Sequence, residues 1–297
     1  MYRRMSSPGA SALLLAGTLL FCRLALLASA HPAHPSTLPV TIATANLSDN
    51  FSQAYQDPGI RILQALRPDI VGIQEFNYRL GSPEELVLRI FGPDYHFHRE
   101  SGARLPNGII SRFPILEAGQ WEDPFVQNRN FAWVTLDIPG PKRLHVVSVH
   151  LVQNKTARRT PQARLLMDYI LQAFPPDDYV VLCGDLNIST RVAEALSVLT
   201  SWFDDSRHPA DQLGNKNTNA ERSRPYDVVL PNPALARHHA PTRLARQSFP
   251  DGLVFDTRLW DPPPTPAEWE DSARNLQHLP VMKTFHLPLA SPPASPP

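Results

Sequence analysis

Three features of the sequence predict an α/β fold. Tyr179 to Asn187 reads Tyr-Val-Val-Leu-Cys-Gly-Asp-Leu-Asn, and a continuous apolar run of this length suits a strand buried on both faces. Leu38 to Glu75 reads as a strand, a helix and a second strand, both strands ending in polar residues. Thr156 to Phe174, ahead of the central strand, is the longest helical pattern in the chain. A strand that stops at Gly184 puts Asp185 and Asn187 at the rim of a sheet, where α/β proteins place their chemistry. Taken alone, the same stretch also reads as a strand-to-helix turn with Asp185 as the N-cap.

In chain order, Val40 and Ile42 alternate with small residues in a strand that ends near Asn46. Asp57 is an N-cap candidate with Pro58 at the first helical position, and Ile60, Leu63, Ala65 and Leu66 form the apolar stripe. Pro68 ends this helix, and Asp69 to Glu75 is the next strand. Ser82 caps a helix to Phe91, with Pro83 inside its start. Tyr95 to Arg99 alternates as a short strand. Asn107 to Ile115 predicts two strands joined around Arg112 to Pro114. Asn128 to Ile138 and Arg143 to Leu151 predict a hairpin across Pro139-Gly140-Pro141-Lys142. The long helix carries Ala163, Leu166, Met167, Ile170 and Leu171 as its apolar stripe and starts near Thr160. Arg191 to Thr200 is helix-like and Tyr226 to Leu230 is a strand. Pro231 to Gln247 and Asp261 to Asn275 read as loops around a short strand at Leu253 to Phe255. His278 to Phe285 reads as the last strand.

The ends read differently. Met1 to Ala30 has the pattern of a secretory signal: Arg3 and Arg4, an apolar stretch from Ser11 to Phe21, and Ala28-Ser29-Ala30 at the cleavage position. Its alternative is an uncleaved anchor, which the mature N-terminus decides. Residues 31–37 form a Pro-rich leader, 38–289 the domain, and 290–297 a low-complexity tail expected to be disordered. The chain holds 28 basic and 28 acidic residues, and three of the basic ones lie before His31. The mature protein is therefore slightly acidic, which excludes a basic footprint for tight non-specific nucleic-acid binding at the whole-protein level. Only Cys183 follows the signal, so no intramolecular disulfide forms in the mature chain, and an apolar strand position makes this thiol core filler.

Six strands end in, or lead from, residues of catalytic type: Asn46, Glu75, His150, Asp185 with Asn187, Asp227 and His278. Polar groups beside buried strands cost stability unless they are paired or bind a metal. In order along the chain stand Ala-Thr-Ala-Asn46-Leu, Ile-Gln-Glu75, Asn-Gly-Ile-Ile-Ser-Arg112-Phe-Pro-Ile, Val-Ser-Val-His150-Leu, Gly-Asp185-Leu-Asn187, Tyr-Asp227-Val-Val-Leu and Gln277-His278-Leu-Pro-Val. No one of these motifs decides the matter, but the ordered set resembles the endonuclease/exonuclease/phosphatase family from about Leu38 to Leu287.

That resemblance implies a four-layer α/β/β/α sandwich of two face-to-face mixed sheets with helices outside. It implies hydrolysis of a phosphate ester with Mg²⁺, or Mn²⁺ in its place. Glu75, Asn46 and Gln277 are the implied metal ligands, hard oxygen donors suited to such an ion. Asp185 is implied to orient or deprotonate the attacking water, with Asn187 holding the phosphate. Asp227 is implied to fix the tautomer of His278, which faces the scissile phosphate as a charged stabiliser or proton carrier. His150 is implied to donate to a phosphate oxygen or the leaving group. The family pattern has Asp before the final His where this chain has Gln277, so a one-metal enzyme, or one with weak Mg²⁺ affinity, is expected. The expected partner is a phosphate-ester substrate, either nucleic acid or a small or lipid phosphate. Arg158, Arg159 and Arg164 are expected as a local basic rim, and Trp202-Phe203 and Trp260 lie in candidate rim segments. Arg112 reads as a structural brace, Arg129 and Asn130 head a strand on the expected active face, and His238-His239 reads as solvated. A secreted binding protein that keeps the fold and has lost catalysis through Gln277 is the reading of another class.

Overall fold

The chain was described from a computed structural model, which covers residues 37–289 apart from Lys155 and Arg274. The expected signal and tail, and the leader as far as residue 36, lie outside the described residues. The first strand, β1 (Thr37–Ala45), leads into α1 (Asp57–Leu66), β2 (Ile70–Ile73) and α2 (Pro83–Phe91). Then follow β3 (His96–Arg99), β4 (Gly108–Ser111), β5 (Ile115–Trp121), β6 (Phe131–Leu136) and β7 (Leu144–His150). Helix α3 (Arg159–Ala173), β8 (Tyr179–Asp185), α4 (Glu194–Thr200), β9 (Asp227–Pro231) and α5 (Pro233–Ala236) come next. The short strands β10 (His239–Ala240), β11 (Thr242–Leu244), β12 (Gln247–Phe249) and β13 (Leu253–Val254) precede β14 (Val281–Pro288).

Two large sheets form. The first has the order β10-β14-β1-β2-β4-β3, with β13 also on β14, and the second has the order β5-β6-β7-β8-β9. Strands β1 and β2 pair in parallel, as do β7 and β8, and the remaining pairs in these sheets are antiparallel. Val40, Ile42 and Phe285 of the first sheet pack against Val134, Val146 and Val181 of the second. The other face of the first sheet is covered by α1 and α2 through Ile60, Leu63, Leu86 and Ile90. The other face of the second is covered by α3 and α4 through Leu166, Ile170, Leu196 and Leu199. This is the four-layer α/β/β/α sandwich. The sheets approach closely where Gly72 faces Cys183, since a Cβ built on Gly72 would lie 2.3 Å from the Cys183 Cβ. Burial pushes the Cys183 thiol up to about 12, consistent with inert filler.

Several local expectations are corrected. Gln56, not Asp57, is the N-cap of α1, and no side chain caps it. Ser82 does cap α2, in a reciprocal capping box with Glu85. The two strands around Arg112 to Pro114 belong to different sheets, so that turn carries the chain across the sandwich. Arg112 braces it, 2.5 Å from Asp69 and over the Phe113 ring. Leu171 is solvent-facing, and Gln162 takes a buried place on α3 instead. The segment read as loop from Pro231 to Gln247 contains α5, β10 and β11. His239 pairs with β14 and is half-buried, and burial pushes its imidazole down to about 4, so the solvated reading fails there. Phe203 and Trp260 are core residues rather than rim residues. Arg164 is spent on Glu194.

Candidate active site

The second sheet sets three of the functional side chains on one rung. In its register His150 lies beside Asp185, and Asp185 beside Asp227. The chain reaches this rung through Gly184, where a Cβ would fall 2.5 Å from the Val149 carbonyl oxygen. Only glycine lets β7 and β8 approach so closely just before the aspartate. The first sheet contributes from across the sandwich. Asn46 follows the end of β1, and Glu75 follows β2 by two residues rather than ending it. Gln74 ties the sheets together by donating to the Ser148 hydroxyl at 3.1 Å.

Seven of the eight expected site residues, Asn46, Glu75, His150, Asp185, Asn187, Gln277 and His278, line one cavity of about 710 Å³. Asp227 stands behind His278 and accepts from its Nδ1 at 2.8 Å. The Thr218 hydroxyl donates to the same Asp227 oxygen at 2.6 Å. His278 does not open the last strand as expected. It lies in the segment before β14, where the Leu279 amide donates to the Thr218 carbonyl and Ala220 donates to that of Gln277. The polar stretch before β9 thus holds the catalytic-type histidine in place. Glu75 and Asn187 both have left-handed backbones, with φ of 51° and 52°. Non-glycine residues adopt this region at a cost of order 1–3 kcal/mol that the surrounding structure must override, and such residues cluster at active sites.

Asp185 is the hub. Its Oδ2 accepts from the Asn46 amide at 3.1 Å, and its Oδ1 accepts from the Asn187 backbone at 2.8 Å. Nε2 of His150 and Nε2 of His278 lie 3.3 and 3.4 Å from Oδ2. Burial pushes the Asp185 carboxyl up to about 6, against the pull of the charged His278. Burial alone would push His278 down, but Asp227 and Asp185 on either side raise it to about 10, so it carries a proton at neutral pH. His150 goes the other way: burial, then the cations Arg129 and His278, hold it well below its ordinary value. It is a neutral imidazole, able to donate a hydrogen bond but not a proton.

Asp185, Asp227 and His278 place ligand-type atoms within 4.8 Å of one another. A protonated imidazole between two carboxylates is an ion pair, however, and not a metal cage. The oxygen donors across the cavity fit a hard cation better. The buried Asn46 Oδ1 has no hydrogen-bond partner, while Glu75 Oε2 accepts from the Ser48 hydroxyl at 2.6 Å and its Oε1 lies 3.9 Å from His150 Nδ1. A buried acceptor with no partner is costly unless something fills its place.

Arg129 is a residue whose part the sequence left open. It is buried, donates from Nε to the His150 carbonyl at 2.5 Å and from Nη2 to the Leu151 carbonyl at 3.0 Å, and also lines the cavity. Asn187 donates to the same Leu151 carbonyl at 3.0 Å. Asn130, by contrast, is spent on Asp123 and Asn107 and on a buried Glu100. Of the expected basic rim, Arg158 lines the cavity beside Phe125, while Arg159 is turned to the Val152 carbonyl.

Solved structures share this fold at low identity. A humanised D. rerio TDP2 is 19% identical over 83% of this chain and 98% of its own, with a TM-score of 0.57. An AP endonuclease from Archaeoglobus fulgidus is 19% identical over 83% and 99%, with a TM-score of 0.56. D. rerio TDP2 complexed with a single-strand DNA product is 18% identical over 83% and 98%, with a TM-score of 0.55. No curated protein matches the chain. The family model for the endonuclease/exonuclease/phosphatase family matches residues 60–265, most of the chain, with Glu75, His150, Asp185, Asn187 and Asp227 inside the match, so the protein belongs to that family.

Proposed function

We propose that the protein is a secreted phosphoesterase that uses a divalent metal ion, Mg²⁺ or Mn²⁺, and water to cleave a phosphate ester. The observation that carries this reading is the buried line Asp227–His278–Asp185 at the floor of the cavity. Asp185, pushed up to about 6, is still ionised at neutral pH and basic enough to take a proton from water. The oxygen of that water bonds to phosphorus as the ester oxygen leaves. The charged His278, fixed by Asp227, faces the negative charge that grows on the phosphoryl oxygens. His150 and Asn187 orient those oxygens through neutral hydrogen bonds. Asn46 and Glu75 are the residues suited to hold the metal, with Gln277 as a neutral third oxygen. When bound there, the ion supplies Lewis acidity toward a phosphoryl oxygen. Secretion rests on the signal-like pattern of Met1 to Ala30.

A fold neighbour that holds a single-strand DNA product puts nucleic acid first among the substrates to test. The test uses protein starting at His31 against plasmid DNA, RNA, bis-p-nitrophenyl phosphate, p-nitrophenyl phosphate, sphingomyelin and inositol phosphates. Each is run with Mg²⁺, Mn²⁺ or EDTA, beside His278→Ala. Turnover that needs metal and vanishes in the variant supports the reading. No turnover by folded protein on any of them overturns it and puts a binding protein weakened at Gln277 in its place.

A further inference from the structure

A second cavity of about 480 Å³ adjoins the first, sharing Gln53, Arg104 and Leu105 with it. Its walls carry three guanidinium groups, those of Arg79, Arg99 and Arg104. Each is held by neutral acceptors only. Arg79 donates to the Ser52 carbonyl at 2.8 Å, and Arg104 to the Gln53 side-chain oxygen at 3.0 Å. Arg99 donates to the Phe76 and Glu100 carbonyls and to Asn77 Oδ1. Asn77 in turn donates to the Gln53 and Arg104 carbonyls, which joins the three arginine-bearing segments. Among the described residues, none of the three arginines has a carboxylate within ion-pair distance, while Arg61, Arg89, Arg112, Arg143, Arg191 and Arg222 all do. Glu84 and Glu100 act on Arg99 only from farther away. Three braced cations around one concavity, with their charge unspent, suit an anion.

The neighbouring segments suit a strand of bases. Tyr78 lines the second cavity and Phe125 the first, beside Arg158, and Phe51 is highly exposed next to Ser52. Cationic groups interleaved with aromatic rings are how single strands are held, the cations on phosphates and the rings on bases. The local charge also answers a difficulty raised by composition: a slightly acidic mature chain can still present a basic track at its active face.

We propose that this second cavity is a subsite for a non-scissile phosphate, so that the substrate is a single-stranded oligonucleotide running from the reaction cavity over Gln53 and Arg104 to Arg79 and Arg99. The assignment rests on the phosphoesterase reading above for the reaction, but the binding it describes can be measured without turnover. Arg79 is exposed and lies outside the reaction cavity, so Arg79→Gln tests the subsite without touching the proposed chemistry. Arg79→Gln and Arg79→Gln/Arg104→Gln are compared with wild type, with melting curves to show that they fold.

Binding of fluorescein-labelled hexathymidylate is followed by anisotropy in EDTA across a series of NaCl concentrations. The expected result is a Kd raised about tenfold in the double variant, with the slope of log K against log salt shallower by about 0.7 per arginine removed. Where turnover is found, kcat/KM for the oligonucleotide relative to bis-p-nitrophenyl phosphate falls by a similar factor. Unchanged affinity and slope in the folded double variant would overturn the subsite, even if bis-p-nitrophenyl phosphate is hydrolysed and the phosphoesterase reading stands. Arginine-dependent binding without any turnover leaves the subsite standing and removes the phosphoesterase reading.

Discussion

Two buried histidines flank one aspartate, and they end in opposite states. His150 and His278 each put Nε2 within 3.4 Å of Asp185 Oδ2. Both are 6% exposed, so burial cannot distinguish them. What differs is the far side of each ring. Behind His278 stands Asp227, and the imidazole holds its proton to about 10. Behind His150 the Glu75 carboxylate stands farther off, 3.9 Å from Nδ1, the buried Arg129 opposes a charge, and that imidazole is neutral. The difference teaches that within one cavity floor the charge of a histidine is set by its second neighbour. The chain thereby places one cation and one neutral donor about the same carboxylate.

The largest effect is expected from removing the charged member. His278→Ala should lower kcat by about a thousandfold or more, and the loss should persist at saturating metal. Next comes its partner. Asp227→Asn should lower kcat by about a hundredfold or more, and a new decline should enter the pH–rate profile near neutrality as His278 loses its support. The same variant tests the linkage. The folded His278 value is about 10 against an ordinary 6.5, so its stabilising contribution is complete below the lower value. It is lost as pH rises through the upper one. Urea melts of the metal-free protein should show that decline between the two values, and Asp227→Asn should flatten it.

On the His150 side, Arg129→Met removes the cation and its donation to the buried His150 carbonyl, while the Leu151 carbonyl keeps Asn187. A stability loss of about 2–3 kcal/mol is expected for such buried groups, with the His150 resonances titrating at higher pH by NMR. A His150 that stays neutral over the same range would break the comparison. The smallest effect lies away from the site. Lys283 is 2% exposed and, among the described residues, has no carboxylate within ion-pair distance; burial, opposed by the more distant Asp205 and Asp204, pushes it down to about 8. Lys283→Met should stabilise the protein by about 1–2 kcal/mol at pH 7. The gain should shrink as pH rises from 8 toward the ordinary 10.5, because there only the unfolded lysine still binds a proton.

Much of this site is readable along the chain because the sheet does the positioning. His150, Asp185 and Asp227 each sit at the end of a buried apolar strand, so the pattern that predicts the strand also predicts the rim. Gly184 marks the close approach just before Asp185. Glu75 and Asn187 are harder to read, since both leave the strand through left-handed backbone that no periodicity signals. Arg129 has no sequence signature for its work, because its acceptors are carbonyls 21 and 22 residues onward that only pairing brings near. The two strands joined around Arg112 to Pro114 are legible, but only sheet membership shows that they lie in different sheets. Arg79, Arg99 and Arg104 are ordinary surface arginines in the sequence. Their meaning comes from the acids that are not beside them.

The pairing of the first and last strands of the described chain sets the timing of assembly. β1 and β14 match from Thr37 opposite Pro288 to Thr44 opposite Val281, joining opposite ends of the described chain. Asn46 follows the first of these strands, and His278 precedes the second by three residues. Contacts between such distant segments are slow to form and form late. A chain emerging from the ribosome therefore carries its amide and its metal-suited glutamate long before its charged imidazole. Until β14 has been made and zipped against β1, the cavity lacks the charged imidazole beside Asp185, so the pairing of these two strands is the step that arms the site.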